Sequence, residues 1–270
     1  MNRLLLAATL ILAAAGAEAG RPCEVRPNTT DDLVRGMNLA AATAERLDAS
    51  GAQVVVLARA GQDLSRFGLA WSHFGFAYRE GDGPKSHWRE SDKGLAVWRV
   101  VHKLNHCGTA SAQLYRQGLG EFFLEQPWRY ETAFSALSPE VQSRLLPLLR
   151  DNDRIDDWHE PHYNMVAYPW STRYQQSNQW AIETLAGAMD ASATDRRRAQ
   201  AWLQLRGYEP TTLRIDPLTR LGGRLTKANV AFDDHPNHKR FSDRIETVTA
   251  DSVFVWLARS GLGGPPVLVR

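Results

Sequence analysis

Residues 71–79, Trp71-Ser72-His73-Phe74-Gly75-Phe76-Ala77-Tyr78-Arg79, alternate bulky and small side chains and run into the turn Gly81-Asp82-Gly83-Pro84. A two-residue period puts successive side chains on opposite faces of extended backbone. The stretch therefore reads as a strand carrying His73, with its exit turn behind it. Upstream, the valine-rich residues 53–59 read as a buried strand. Before them, Thr30-Asp31-Asp32 supplies a cap and an acidic first turn, and Leu33, Met37, Ala40, Ala44 and Leu47 keep the spacing of one helical face. That predicts a helix over 31–49, stopped by Ser50-Gly51. Downstream, Trp98, Val100, His102 and Leu104 share one face of a third predicted strand, 97–104.

Further along, 109–117 reads as a short helix ended by Gly118, and Ser138-Pro139-Glu140 opens a helix over 141–149. Residues 151–162 read as a surface loop and 163–170 as a strand. Ser177-Asn178-Gln179-Trp180 opens a helix reaching Met189, and a second helix over 194–206 closes on Gly207. Short strands are expected at 211–215, 229–232 and 245–249, with a last helix at 251–259. Helices and strands mix without β-α-β alternation. The expected class is α+β, a central antiparallel sheet with packed helices.

The chain opens with Met1-Asn2-Arg3, an apolar run from Leu4 to Ala15, and Ala17-Glu18-Ala19. This has the form of a secretory signal peptide, residues 1–19, cleaved after Ala19. Cys23 follows Gly20-Arg21-Pro22 rather than a lipoprotein box, and no later stretch has the apolar length of a membrane span. We expect an exported, periplasmic or extracellular chain, with 20–270 as one domain and no integral membrane segment. With 43% hydrophobic and 23% charged residues the composition is globular, and a formal charge of +2 argues for neither nucleic acid nor an anionic membrane surface. In an oxidising compartment the two cysteines, Cys23 and Cys107, are expected to form a disulfide.

Catalysis by a serine needs a base to take its proton and a third group to hold that base in one tautomer. His73 and His102 lie on neighbouring predicted strands, and Ser177 stands at a helix N-terminus, where free N–H groups and the helix dipole favour developing negative charge. Cys107, with His102 or His106, is the competing nucleophile. Asn178 and Gln179 flank Ser177, and Trp158 and Trp170 fall in or beside a predicted loop, placed to line a substrate cleft. His159-x-x-His162 and His235-Pro236-Asn237-His238 have ligand-like spacing without a third ligand in a defined frame, so neither metal nor cofactor is expected.

Ser72-His73-Phe74-Gly75-Phe76, Val100-Val101-His102 and Gln176-Ser177-Asn178-Gln179-Trp180 resemble, in that order, the base strand, orienting strand and nucleophile helix of the circularly permuted NlpC-type papain-like peptidases. Lecithin:retinol acyltransferase is among the relatives of that branch. The resemblance covers about residues 53–189, leaves 190–270 as a C-terminal α/β extension, and departs at the nucleophile, which is normally Cys and here is Ser177. It implies a papain-like frame and a hydrolase or acyltransferase of amide or ester bonds. The compartment makes cell-wall peptide or another periplasmic component the expected partner. A non-catalytic binding or scaffolding protein on the same frame is the alternative. The phrases ARAGQDLSRFGLAWSHFGFAYR, NHCGTASAQLY and RIETVTADSVFVWL resemble a family of uncharacterised exported bacterial proteins, domain-of-unknown-function family 2145.

Overall fold

A computed structural model describes residues 27–80 and 97–270. The expected signal segment 1–19, Cys23 and the expected turn at 81–84 lie outside the described residues. Among the described residues there are eight strands: β1 (Val54–Arg59), β2 (His73–Glu80), β3 (Val97–Asn105), β4 (Ala112–Gly118), β5 (Thr132–Ala136), β6 (Thr211–Arg214), β7 (Arg244–Thr247) and β8 (Val267–Val269). Six of them form one antiparallel sheet in the order β4-β3-β2-β1-β5-β8, and β6 and β7 form a separate ribbon. The helices are α1 (Thr30–Ala49), α2 (Leu119–Phe123), α3 (Pro139–Arg150), α4 (Ser177–Met189), α5 (Arg196–Leu205), α6 (Pro217–Thr226), α7 (Asn237–Arg240) and α8 (Ala250–Ser260). The fold class is α+β.

The alternation read from the sequence sorts the sheet into two buried faces. Val54, Val56, Phe74, Phe76 and Val101 pack against α3, α4 and α8, while Val55, Leu57, Ala77 and Val100 pack against α1 and α2. With both faces covered, β1 is buried along its whole length. Helix α4 is buried on every side from Ser177 to Ala186. A helix so placed presents no polar stripe to solvent, so its polar side chains must find partners inside.

The β2–β3 ladder runs from Glu80↔Val97 to Phe76↔Val101, leaving residues 73–75 and 102–105 beyond it. The N-terminus of α4 meets this opening: the Asn178 Oδ1 accepts the Phe74 backbone N–H at 3.1 Å. The approach to β2 is fixed from α8, where the Asp251 carboxylate accepts the N–H groups of Ala70 and Trp71 at 3.0 and 3.2 Å.

Four expectations are corrected. Residues 109–117 are not helical; 112–118 form β4, which takes the free edge of β3 after a turn at Gly108, whose φ of 70° suits glycine. Residues 163–170 and 229–232 are not strands. They are joined instead through Asn164, whose Oδ1 accepts from Val166 and Ala231 and whose Nδ2 donates to the Ala231 carbonyl, and through the Met165 N–H to Asn229 carbonyl bond. The cap of α1 is Thr29, one residue earlier than read, in a reciprocal box with Asp32.

Candidate active site

A cleft of about 690 Å³ opens where the N-terminus of α4, the start of β2 and the β6–β7 ribbon converge. His73, Ser177 and Asn178 all line it, as do Arg59, Ser72 and Tyr163. Leu64, Phe67, Met165, Val166, Leu213 and Phe232 give it apolar walls.

The two histidines of the sequence reading are in contact. His73 Nε2 and His102 Nδ1 are 2.8 Å apart, and His102 Nε2 lies 2.7 Å from the Gln117 Oε1. Gln117 Nε2 donates in turn to the Glu121 carboxylate at 3.1 Å. This chain assigns the protons. An ionised carboxylate only accepts, so the Gln117 amide must turn its NH₂ toward Glu121 and its oxygen toward His102. His102 then carries its proton on Nε2 and offers the Nδ1 lone pair to His73. His73 carries its proton on Nε2, which leaves Nδ1 as an unprotonated nitrogen for the cleft that the ring lines. The arrangement is the one a general base requires, with its tautomer set by outer partners.

Packing makes the contact possible. A Cβ on Gly75 would lie 2.6 Å from the Val101 carbonyl oxygen and 2.7 Å from the His102 Cβ, so the glycine two residues after His73 lets β3 bring His102 close. The Phe122 ring of α2 stands edge-on to His102 at 5.2 Å and tilted to His73 at 6.1 Å, covering the pair on the α2 side. Burial, then the Arg59 guanidinium, then His102 hold His73 well below the ordinary imidazole pKa. Burial and Arg59 push His102 down to about 3, against the opposing Gln117 hydrogen bond. Both rings are neutral at pH 7. Arg59, opposite His73 across the β1–β2 ladder, is itself anchored by the Phe122 carbonyl and the Glu125 carboxylate.

Ser177 is the first residue of α4, and the Gln176 side chain caps the following N–H. Tyr163 lines the same cleft, and burial raises its pKa against the opposing influence of the Ser177 hydroxyl. Of the residues expected to contact substrate, Asn178 lines the cleft and holds β2. Gln179 is fully buried, with its amide nitrogen within reach of the Tyr168 and Pro169 carbonyls and the Glu183 carboxylate. Trp158 belongs to the core, its indole N–H bonded to the Ala193 carbonyl at 2.9 Å, and Trp170 packs edge-on to Tyr208. Neither tryptophan lines the cleft. Cys107 is on the rim, while His102 is already committed to His73 and Gln117. His235 is held by Asp234 and the Glu246 carbonyl, and among the described residues no group of three metal-ligating side chains converges.

Gln117, Glu121, Arg59 and Tyr163 were not singled out from sequence. No sequence signal marked Gln117 and Glu121, which belong to β4 and α2 and meet only once β4 pairs with β3.

A family model described as an uncharacterised protein conserved in bacteria, domain-of-unknown-function family 2145, matches residues 46–257. The chain belongs to this family. In this member of family 2145 the match runs from the end of α1 into α8, so His73, His102, Gln117, Glu121 and Ser177 all fall within it. No curated protein and no solved structure is matched by the chain.

Proposed function

We propose that the cleft is the active site of an exported hydrolase or acyltransferase of amide or ester bonds, with Ser177 as nucleophile, His73 as base and His102 orienting it. The observation that carries this reading is the chain from Glu121 through Gln117 and His102 to His73, which leaves Nδ1 unprotonated on a ring that lines the same cleft as Ser177. In the reaction His73 takes the Ser177 proton as Oγ attacks a carbonyl carbon. The N-terminus of α4 favours the oxyanion. Collapse expels an amine or alcohol that receives the proton from His73, and water or a second acceptor then releases the acyl group. The apolar walls suit a substrate with an apolar acyl part, while cell-wall peptide rests on the compartment alone. The papain-like frame, the Cys23–Cys107 cross-link and cleavage after Ala19 belong to the same reading, and non-reducing peptide mapping of secreted protein tests the last two.

A fluorophosphonate probe tests the nucleophile. Labelling mapped to Ser177, and abolished by His73→Ala, is expected; a chain that stays unlabelled while correctly folded overturns it. Arg59 beside His73 favours a second reading, a binding cleft without catalysis, because the guanidinium opposes an imidazolium. In that case Ser177→Ala leaves ligand binding unchanged and no acyl-enzyme forms.

A further inference from the structure

Helix α6 has no buried residue. Leu218, Leu221 and Leu225, spaced to share one helical face, are 79%, 56% and 64% exposed. Thr219 and Gly223, on the opposite face, line the mouth of the cleft. The patch extends beyond the helix. Arg220 bonds the Asp243 carboxylate at 2.6 Å, which brings the turn after α7 alongside, and there Phe241 is 71% exposed with the Arg240 guanidinium over its ring. Charge follows the same surface. Residues 211–244 hold seven Lys or Arg against four Asp, in a chain whose total is only +2. The whole-chain charge that argued against an anionic surface therefore averages over a local basic excess.

Apolar side chains pointing to water, with arginines beside them whose stems lie along the same surface, have the form of an interfacial helix. We propose that α6 and Phe241 dock this protein on an anionic phospholipid bilayer, with the leucines in the acyl boundary and Arg224 and Arg240 at the headgroups. Docking so placed would set the cleft mouth at the bilayer surface. The proposal stands whether or not Ser177 is a nucleophile, since none of its residues belongs to the His73 chain.

The test is co-sedimentation of the exported, processed chain with phosphatidylcholine vesicles, with and without phosphatidylglycerol. We expect partition that strengthens with phosphatidylglycerol and weakens with salt. The double substitution Leu221→Glu/Leu225→Glu should weaken it by about 100-fold or more, with an unchanged circular dichroism spectrum and melting temperature because both side chains are exposed. Arg224→Ala and Arg240→Ala should each remove about fivefold, only on the anionic vesicles. Absence of binding to either vesicle, or binding indifferent to the leucine substitutions, overturns the proposal. So does a dimer in size-exclusion chromatography that the leucine substitutions dissolve, which would give the face to a second copy of the chain.

Discussion

At the scale of single residues, the site turns on one proton that a crystallographer would not see and a spectroscopist can. Glu121 fixes the Gln117 amide, the amide fixes His102, and His102 fixes His73 with Nδ1 bare. Gln117→Met removes the acceptor for the His102 Nε2 proton, so that proton gains by moving to Nδ1, and His73 must then answer with its own proton on Nδ1. Ring ¹⁵N spectra should show both histidines as Nε2–H tautomers in the native chain and His73 as Nδ1–H in the variant. Fluorophosphonate labelling should fall by about 10²–10⁴-fold, the usual contribution of a positioned base. A merely structural Gln117 would lower stability by about 1–3 kcal/mol through the buried unpaired N–H and leave the tautomers alone. The histidines were legible in the sequence because strand alternation put each on a definite face. Gln117 and Glu121 were not, because their role appears only when β4 is seen to pair with β3.

At the scale of elements, α4 was the most readable part of the chain, since Ser177 opens it and its apolar residues leave no polar face. What the pattern did not reveal is how tightly it is seated. A Cβ on Gly187 would lie 2.0 Å from the Trp158 Cζ2, so the indole occupies the space where a side chain would be. Gly187→Ala should therefore destabilise the protein by about 3 kcal/mol, despite alanine's better helix propensity, because overpacking outweighs it. Gly222 of α6 meets nothing within 4 Å, and Gly222→Ala should stabilise by up to about 1 kcal/mol. Urea unfolding midpoints that shift in the same direction for both variants would refute this account. The misreading of β4 has a definite cause. Residues 109–117 contain good helix formers, but the free edge of β3 offers seven paired positions, from Asn105↔Ala112 to Arg99↔Gly118, and tertiary pairing outweighs local propensity. Helix α6 went unread because its leucines face water, and a pattern search looks for apolar faces that find a core.

Across the whole molecule, β3, α4, α5 and the loop at 158–160 are joined by a buried polar cluster that no single segment announces. Lys103 is fully buried and donates to the Glu160 carbonyl at 2.5 Å and the Gln175 Oε1 at 2.8 Å. Gln175 passes to the Glu183 carboxylate, which also receives Arg196 at 2.7 Å and Gln200 at 2.7 Å. Burial, then Arg196, push the Lys103 pKa down to about 7, against the pull of Glu183, Glu160 and Asp156. A depressed lysine pKa means that between pH 7 and its ordinary value near 10.5 the unfolded chain binds more protons than the folded one. Stability from this group must then rise with pH across that window, and its penalty is complete below pH 7. We expect up to about 2.5 kcal/mol of added stability between pH 7 and pH 9. Lys103→Met takes the lysine's donor from the Glu160 carbonyl, while Gln175 Oε1 keeps the Glu160 N–H, so its stability at any one pH mixes several effects, but it has no proton to release and its pH dependence should lack this rise. Denaturant melts of both chains at pH 7, 8 and 9 separate the two: diverging curves locate the charge, and parallel ones mean that Lys103 stays protonated between its two carbonyl oxygens.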